Sequence, residues 1–329
     1  MKILVTGGAG YIGGVTAKHL LDAGHEVVVF DSLELGHREA VDPRAQLVVG
    51  DLRNAEDIQA AMAAARPDAV MHFAAYALVG ESSADPGKYF RNNDAGGINL
   101  ADAMQACGVK RIVFSSTCAT YGQPEAMPIT EETPQRPTNP YGQSKLIYEQ
   151  MLGWYAKIHG FRPVFLRYFN ACGAEGRLGE DHAVETHIIP NVLKVALGQR
   201  GHVDVFGDDY RTPDGTCVRD YIHVSDLAEA HRLAITSDFT GALNLGTGNG
   251  FSVKQIVEAA RKVTGHPIPA LVAPRRAGDP DLLVSDPDKA ARELGWKASF
   301  LEPEAIIATA WEWHRKHPRG MRDRRHRPC

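Results

Sequence analysis

The 329-residue sequence has no long apolar run. Its hydrophobic stretches, such as EVVVF and RIVF, have the length of single strands and fall far short of the ~18 residues of a membrane span. No membrane partner is expected. Cysteine is scarce, with five at positions 107, 118, 172, 217 and 329. They are odd in number and form no CxxC pair, so reduced thiols of a cytoplasmic protein are expected rather than a disulfide framework. The chain opens directly on strand-like MKILVTG, and no signal peptide is expected. Histidine is plentiful at 14, but HExxH or a comparable spacing is missing and no metal is expected. Internal repeats and low-complexity tracts are also missing. No strong charge excess exists either: the net charge is −4. The charge is uneven, however, with seven Lys/Arg against one acid from Arg315 onward. A basic end of this kind reads as solvated, and with no nucleic-acid fold before it no nucleic-acid partner is expected.

What is present is an alternation. KILVT precedes a glycine turn and a helical stretch from about Tyr11 to Gly24. EVVVF, LVVG, helical EDIQAAMAAA, AVMHFA, a helical stretch near 87–107 and RIVFSS follow. A helix from about Pro140 to His159 stops at Gly160, and PVFLRYF makes a sixth strand. Strands spaced by helices predict an α/β fold, a doubly wound parallel (Rossmann) sheet with its ligand crevice beyond the carboxyl ends of the strands. After Asn170 the rhythm changes. Residues 171–190 read as loop, followed by VDVFG, RDYIHV, ALNLGTG and helices near 225–236, 252–264 and 303–317. The expectation is a Rossmann domain over 1–170 and, over 171–329, mainly a smaller α/β substrate-binding domain, with some segments returning to the sheet.

GGAGYIG, at 7–13, sits between a predicted strand and a predicted helix. Gly7, Gly10 and Gly13 allow a tight turn and close approach to a pyrophosphate, and the helix N-terminus supplies free N–H groups. The second strand ends in Asp31, 18 residues after Gly13, where a carboxylate suits a ribose 2′-hydroxyl and repels a 2′-phosphate. The cofactor is therefore expected to be NAD. Asp51 of GDL is placed to reach an adenine amino group, and HFAA to brush the cofactor backbone. His72 alone reads as a core histidine. GTGNG, at 246–250, lacks a following acid at the needed spacing and reads as a structural turn.

FSSTCATYG ends the fifth strand with Thr117 facing the crevice, and NPYGQSK puts Tyr141 and Lys145 on one face of the next helix. A free tyrosine, with a pKa near 10, is a poor base at neutral pH. A nearby ammonium and the positive nicotinamide ring of NAD+ favour the phenolate. Such a phenolate can take a hydroxyl proton as hydride leaves the carbon, with Thr117 sharing the proton.

With these motifs, together with HFAAYALVGES, LRYFNACGA, DGTCVRDYIHVSDLA, NLGTG and RRAGDP, the chain resembles the extended short-chain dehydrogenase/reductases over nearly its full length. Within them it is similar to the UDP-glucose (UDP-galactose) 4-epimerases. The resemblance implies an NAD-dependent isomerase that passes through a transient 4-keto sugar. It implies that Tyr11, Ile12, Asp31, Asp51, Leu52, Phe73, Ala74, Ala75, Asn92 and Phe169 line the cofactor. Thr117, Tyr141 and Lys145 are implied to do the chemistry. Asn170, Phe206, Arg219, Arg276 and Asp279 are implied to hold the nucleotide sugar, and His187 takes a sugar-contact position that is Asn in some relatives. A homodimer built on two helices from each subunit is implied as well. Dehydratases of the superfamily typically carry Thr-Asp-Glu where this chain has Thr117-Cys118-Ala119. Ala77 stands where some epimerases place a lysine against the cofactor, and Leu283 where room for an N-acetyl group is set. A 4-epimerase of another nucleotide sugar (UDP-GlcNAc or a UDP-pentose) and a non-catalytic NAD-binding protein remain alternatives.

Overall fold

In a computed structural model that describes residues 1–276 and 279–321, seven strands form one sheet. In chain order they are β1 (Lys2–Thr6), β2 (Glu26–Asp31), β3 (Gln46–Val49), β4 (Ala69–His72), β5 (Arg111–Thr117), β6 (Arg162–Tyr168) and a last strand, Gly241–Leu245. Across the sheet, Gly241–Leu245 is followed by β6, β5, β4, β1, β2 and β3, and every neighbouring pair is parallel. The order reverses between β1 and β4, so the crevice opens where those strands end.

The helices are α1 (Tyr11–Asp22), α2 (Ala55–Ala65), α3 (Val79–Ala84), α4 (Pro86–Tyr89), α5 (Gly96–Ala106), α6 (Pro140–His159), α7 (Ile188–Ala196), α8 (Val224–Thr236), α9 (Val253–Thr264), α10 (Asp288–Leu294) and α11 (Pro303–Lys316). Period-two alternation along β1 divides the core into two layers. Ile3 and Val5 pack with Leu20 of α1 and Leu227 of α8 on one face. Leu4 packs with Met62 of α2, Met104 of α5 and Leu152 of α6 on the other. Each of these side chains is fully buried, which is worth ~1.5–3 kcal/mol apiece relative to exposure. Beyond the sheet, α7, α9 and α11 enclose a third cluster through Val192, Ile256 and Ile307. Beside it Val218–His223 pairs with Asn170–Cys172, Gly250–Ser252 and Leu282–Leu283.

The stretch expected as a helix near 87–107 is divided: α4, a π-helical segment over Phe90–Ala95, then α5. The stretch expected as loop over 171–190 contains short strands and the start of α7. Pro190 marks a loop by residue type, but it sits in the first turn of α7, where no intrahelical N–H partner is needed. The short α10 was likewise not anticipated. Gly241–Leu245 does return to the sheet. The GTGNG turn is held by the chain itself, because the buried Asp220 carboxylate accepts from the backbone N–H of Thr247 (2.8 Å) and Gly248 (3.1 Å). Arg315 and Lys316 end α11, a favourable place for cations. The basic residues from Arg322 onward, and Ala277 and Gly278 of RRAGDP, lie outside the described residues.

Candidate active site

A cleft of about 1180 Å³ runs along the carboxyl ends of the strands. Gly7, Gly10, Tyr11, Ile12, Gly13, Asp31, Asp51, Leu52, Phe73, Ala74, Ala75, Asn92, Thr117, Tyr141, Lys145, Phe169, Asn170, His187 and Asp279 all line it. So do Ala77 and Leu283.

At one end, α1 starts from Gly10 with no side-chain cap and no acid in its first turn, so its N–H groups and positive dipole end face the cleft. A Cβ on Gly13 would lie 2.3 Å from Gly7 O, so only glycine lets the turn close on the helix. The Asp31 carboxylate accepts from the N–H of Ala9 (3.0 Å) and Leu33 (2.9 Å), which fixes it at the rim of the turn. An unfilled helix N-terminus beside a positioned carboxylate fits a dinucleotide pyrophosphate and its adenosine ribose. Asp51 lines the same end, and its carboxylate is engaged by Arg53 Nε at 2.9 and 3.0 Å.

At the centre, Thr117 ends β5 and Tyr141 lies in the first turn of α6. Asn139 caps α6 by accepting from Gly142 N (2.9 Å), and Pro140 is pre-set for the first helical position. A Cβ on Gly142 would lie 2.5 Å from Ala119 O. Its absence lets α6 dock on the turn after β5 and brings Tyr141 to Thr117. Burial pushes the Tyr141 phenol up to about 12, and a hydrogen bond with Thr117 opposes that rise. The Thr117 oxygen accepts from Ala119 N (3.1 Å), leaving its own O–H to donate. Lys145 is buried, donates to Ser115 O (2.8 Å) and lies 6.0 Å from the Tyr141 ring centre. Burial pulls its ammonium down to about 7, while Asp94 and Glu149 favour the charged form. Asp94 was not anticipated. It is a buried carboxylate with no hydrogen-bond partner among the described residues, raised by burial to about 7. His72 is a core histidine: it is buried beside Thr6 Oγ1 at 2.7 Å, and burial takes its pKa down to about 3.

At the far end the residues expected to hold the nucleotide sugar fall into pairs. Arg219 is buried and its Nη2 lies 3.7 Å from Asp279, and the Arg276 guanidinium stacks 4.0 Å over the Phe206 ring. Asp279 lines the cleft, and Arg219, through its ion pair with Asp279, lies next to it. His187 is the residue just before α7, and its side chain lies beside Glu180, His182 and Glu185. This group is not legible in the sequence, because E-x-H-x-x-E-x-H on a loop has no helical period to reveal it.

The NAD dependent epimerase/dehydratase family matches residues 3–246. A UDP-glucose 4-epimerase of Lacticaseibacillus casei is 52% identical, with 98% of this chain and 100% of the relative covered. A crystal structure of a UDP-glucose 4-epimerase superimposes with a TM-score of 0.95 at 49% identity, covering 98% of this chain and 100% of the other. The Bifidobacterium longum UDP-glucose 4-epimerase, in complex with NAD+ and UDP, gives 0.93 at 42% identity, covering 98% and 100%. With its glycine turn, Asp31, and Thr117, Tyr141 and Lys145 gathered on one cleft, the chain belongs to the NAD dependent epimerase/dehydratase family.

Proposed function

We propose that the chain catalyses reversible 4-epimerisation of UDP-galactose and UDP-glucose, with NAD as a tightly held cofactor. The observation that carries this reading is the convergence of Thr117, Tyr141 and Lys145 on the cleft that the glycine turn and Asp279 also line. The relatives' own activity supports it, as does the relative solved with NAD+ and UDP. Gly7, Gly10, Gly13 and the N-terminus of α1 hold the pyrophosphate, and Asp31 the ribose. NAD supplies a hydride acceptor that gives the hydride back within one turnover.

Tyr141 takes the sugar 4-hydroxyl proton as C4 loses hydride, leaving a 4-keto sugar. Buried without help the phenol is too weakly acidic for this, so the Lys145 ammonium and the Thr117 hydroxyl must stabilise the phenolate. The keto sugar turns over and takes hydride on its opposite face, and Tyr141 returns the proton. Arg219 and Arg276 neutralise the diphosphate with forked hydrogen bonds, and binding energy remote from C4 keeps the intermediate in place. Asp279 accepts from uridine ribose hydroxyls, while Asn170, Phe206 and His187 complete the nucleotide-sugar side. In this reading residues 171–329, apart from the strand Gly241–Leu245, serve mainly as the substrate domain.

A homodimer belongs to the same proposal. Ile147, Met151, Trp154 and Ile158 recur at helical spacing on α6, and Trp154 and Ile158 are exposed. Cys107, Cys118, Cys172 and Cys217 are free thiols, which suits the cytoplasm. Among the described residues no helix is long and apolar enough to cross a membrane.

The test is conversion of UDP-galactose by the purified protein, with and without added NAD+, followed by product separation. UDP-glucose should form without net NADH, and Tyr141→Phe should lose at least ~100-fold in kcat while its far-UV spectrum stays native. Near-normal turnover by Tyr141→Phe would remove it from the mechanism. A requirement for added NAD+ would point to the missing lysine at Ala77.

A further inference from the structure

Four side chains converge where the loop after Asn170–Cys172 enters α7. Glu180 Oε1 lies 3.4 Å from His182 Nδ1 and 2.5 Å from His187 Nδ1. Glu185 lies 3.5 Å from His182 Nδ1 and 3.2 Å from His187 Nδ1. One donor atom from each residue fits inside a sphere of contacts no wider than 4.8 Å. Both glutamate side chains are almost wholly buried, at 4% and 3% exposure. Among the described residues no lysine or arginine pairs with either.

Buried carboxylates need a cation. Two protonated imidazoles are one answer, and then each Nδ1–H should donate to an oxygen. His187 Nδ1, 2.5 Å from Glu180 Oε1, is close enough to do so. His182 Nδ1 is sealed from solvent and stands 3.4 Å from Glu180 and 3.5 Å from Glu185, an ion-pair distance beyond the usual ~2.7–3.2 Å of an N–H···O bond. A ring nitrogen shared between two buried carboxylates at 3.4 and 3.5 Å has the spacing of two ligands of one ion. A tetrahedral ion with bonds of about 2.0–2.2 Å sets its ligands roughly 3.3–3.6 Å apart. His182 Nδ1 lies 3.4 Å from Glu180 Oε1 and 3.5 Å from Glu185 Oε2, and His187 Nδ1 lies 3.2 Å from the other Glu185 oxygen.

We propose that Glu180, His182, Glu185 and His187 form a binding site for one zinc ion at the edge of the cleft. Two imidazoles and two carboxylates suit zinc-class cations, whereas magnesium and calcium prefer all-oxygen shells. The ion's task is structural: it ties the loop over 180–187 to the first residue before α7. Coordination through Nδ1 also leaves Nε2–H of His187 as a fixed donor, so the ion would set the tautomer of a residue on the cleft wall. The site stands on its own geometry and does not depend on which sugar nucleotide the cleft accepts.

The test uses the NAD-loaded protein, stripped with a chelator and titrated with Co2+ followed by Zn2+. One equivalent of Co2+ should give the intense visible bands of a tetrahedral site, Zn2+ should bleach them, and Zn2+ should raise the melting temperature. His182→Ala and, separately, Glu185→Gln should lose the bands while retaining bound NAD, which controls for folding. An absence of tetrahedral bands in the parent protein, or bands that persist unchanged in both variants, would overturn the site. So would a melting temperature indifferent to Zn2+ with both imidazoles titrating freely by NMR, which would leave an ion-pair cluster in its place.

Discussion

At the scale of single residues, the proposed catalytic centre turns on one lysine held near the edge of ionisation. Burial draws Lys145 down to about 7, and the Asp94 carboxylate, itself raised to about 7 by burial, pulls the other way. The Tyr141 phenolate needs that ammonium, so Asp94 acts on turnover through Lys145 without touching the reacting atoms. Asp94→Asn removes the negative charge, lowers the Lys145 pKa further, and should move the alkaline limb of the kcat/KM profile to lower pH. Each unit of displacement costs roughly tenfold in ammonium content above the limb. Replacement should also change stability with a definite sign. The folded pKa of Asp94 lies above its unfolded value, so the wild type loses stability as pH rises from about 4 through about 7. Asp94→Asn should therefore gain relative to wild type over that window and hold the gain above it. Thermal melts at pH 5 and pH 8, with an unchanged pH–rate profile as the contrary result, decide the point.

At the scale of elements, α6 carries both the proposed catalytic pair and an anchor for the sheet. Glu149, two turns beyond Tyr141, accepts from Arg167 Nε (3.0 Å) and Nη2 (2.6 Å) on β6 and from Ser116 Oγ on β5. Arg167 Nη1 donates to Tyr121 OH (2.9 Å), which donates to Asn244 Oδ1 (2.7 Å) on the last strand. The pair is almost fully buried. Glu149→Ala should cost ~3–5 kcal/mol in urea unfolding, because it strands the guanidinium. The double variant Glu149→Leu/Arg167→Met should be the less damaged of the two. A double variant that loses the sum of the Glu149→Leu and Arg167→Met single losses would mean the two groups are not coupled. The same helix also explains what could be read in advance. The cap Asn139, Pro140 in the first turn and Gly160 at the end follow local rules, so α6 was legible, as was the glycine turn before α1. The π-helical segment was not, because it answers to tertiary bonding: Asn93 reaches Tyr76 N (3.0 Å), Tyr76 O (3.1 Å) and Ser144 Oγ (3.0 Å). Asp94 and the group of Glu180, His182, Glu185 and His187 were hidden for the same reason. Their meaning lies in neighbours that only folding supplies.

At the scale of the whole molecule, the proposed homodimer would join the stripe on α6 to assembly. The helix rises ~1.5 Å per residue, so Trp154 and Ile158 lie about 20–25 Å along the axis from Tyr141. Ile98 on α5 is 40% exposed and belongs to the helix packed beside α6. Exposed aromatic and aliphatic side chains at this spacing suit a two-fold packing of α5 and α6 against their copies. A stable interface removes roughly 1,200–2,000 Å² from water, and a central tryptophan there costs ~2 kcal/mol or more when lost. Trp154→Glu would place a charge at that centre in both partners at once, so its penalty counts twice. In sedimentation velocity the wild type should run as a dimer and Trp154→Glu as a monomer. The glycine turn, Asp31, Thr117, Tyr141 and Lys145 all line the cleft from one chain, so the monomer should keep NAD and its turnover per chain at saturating substrate. A wild type that sediments as a monomer would remove the dimer altogether. A Trp154→Glu variant that stays dimeric would move the interface to another face and leave the α6 stripe without this role.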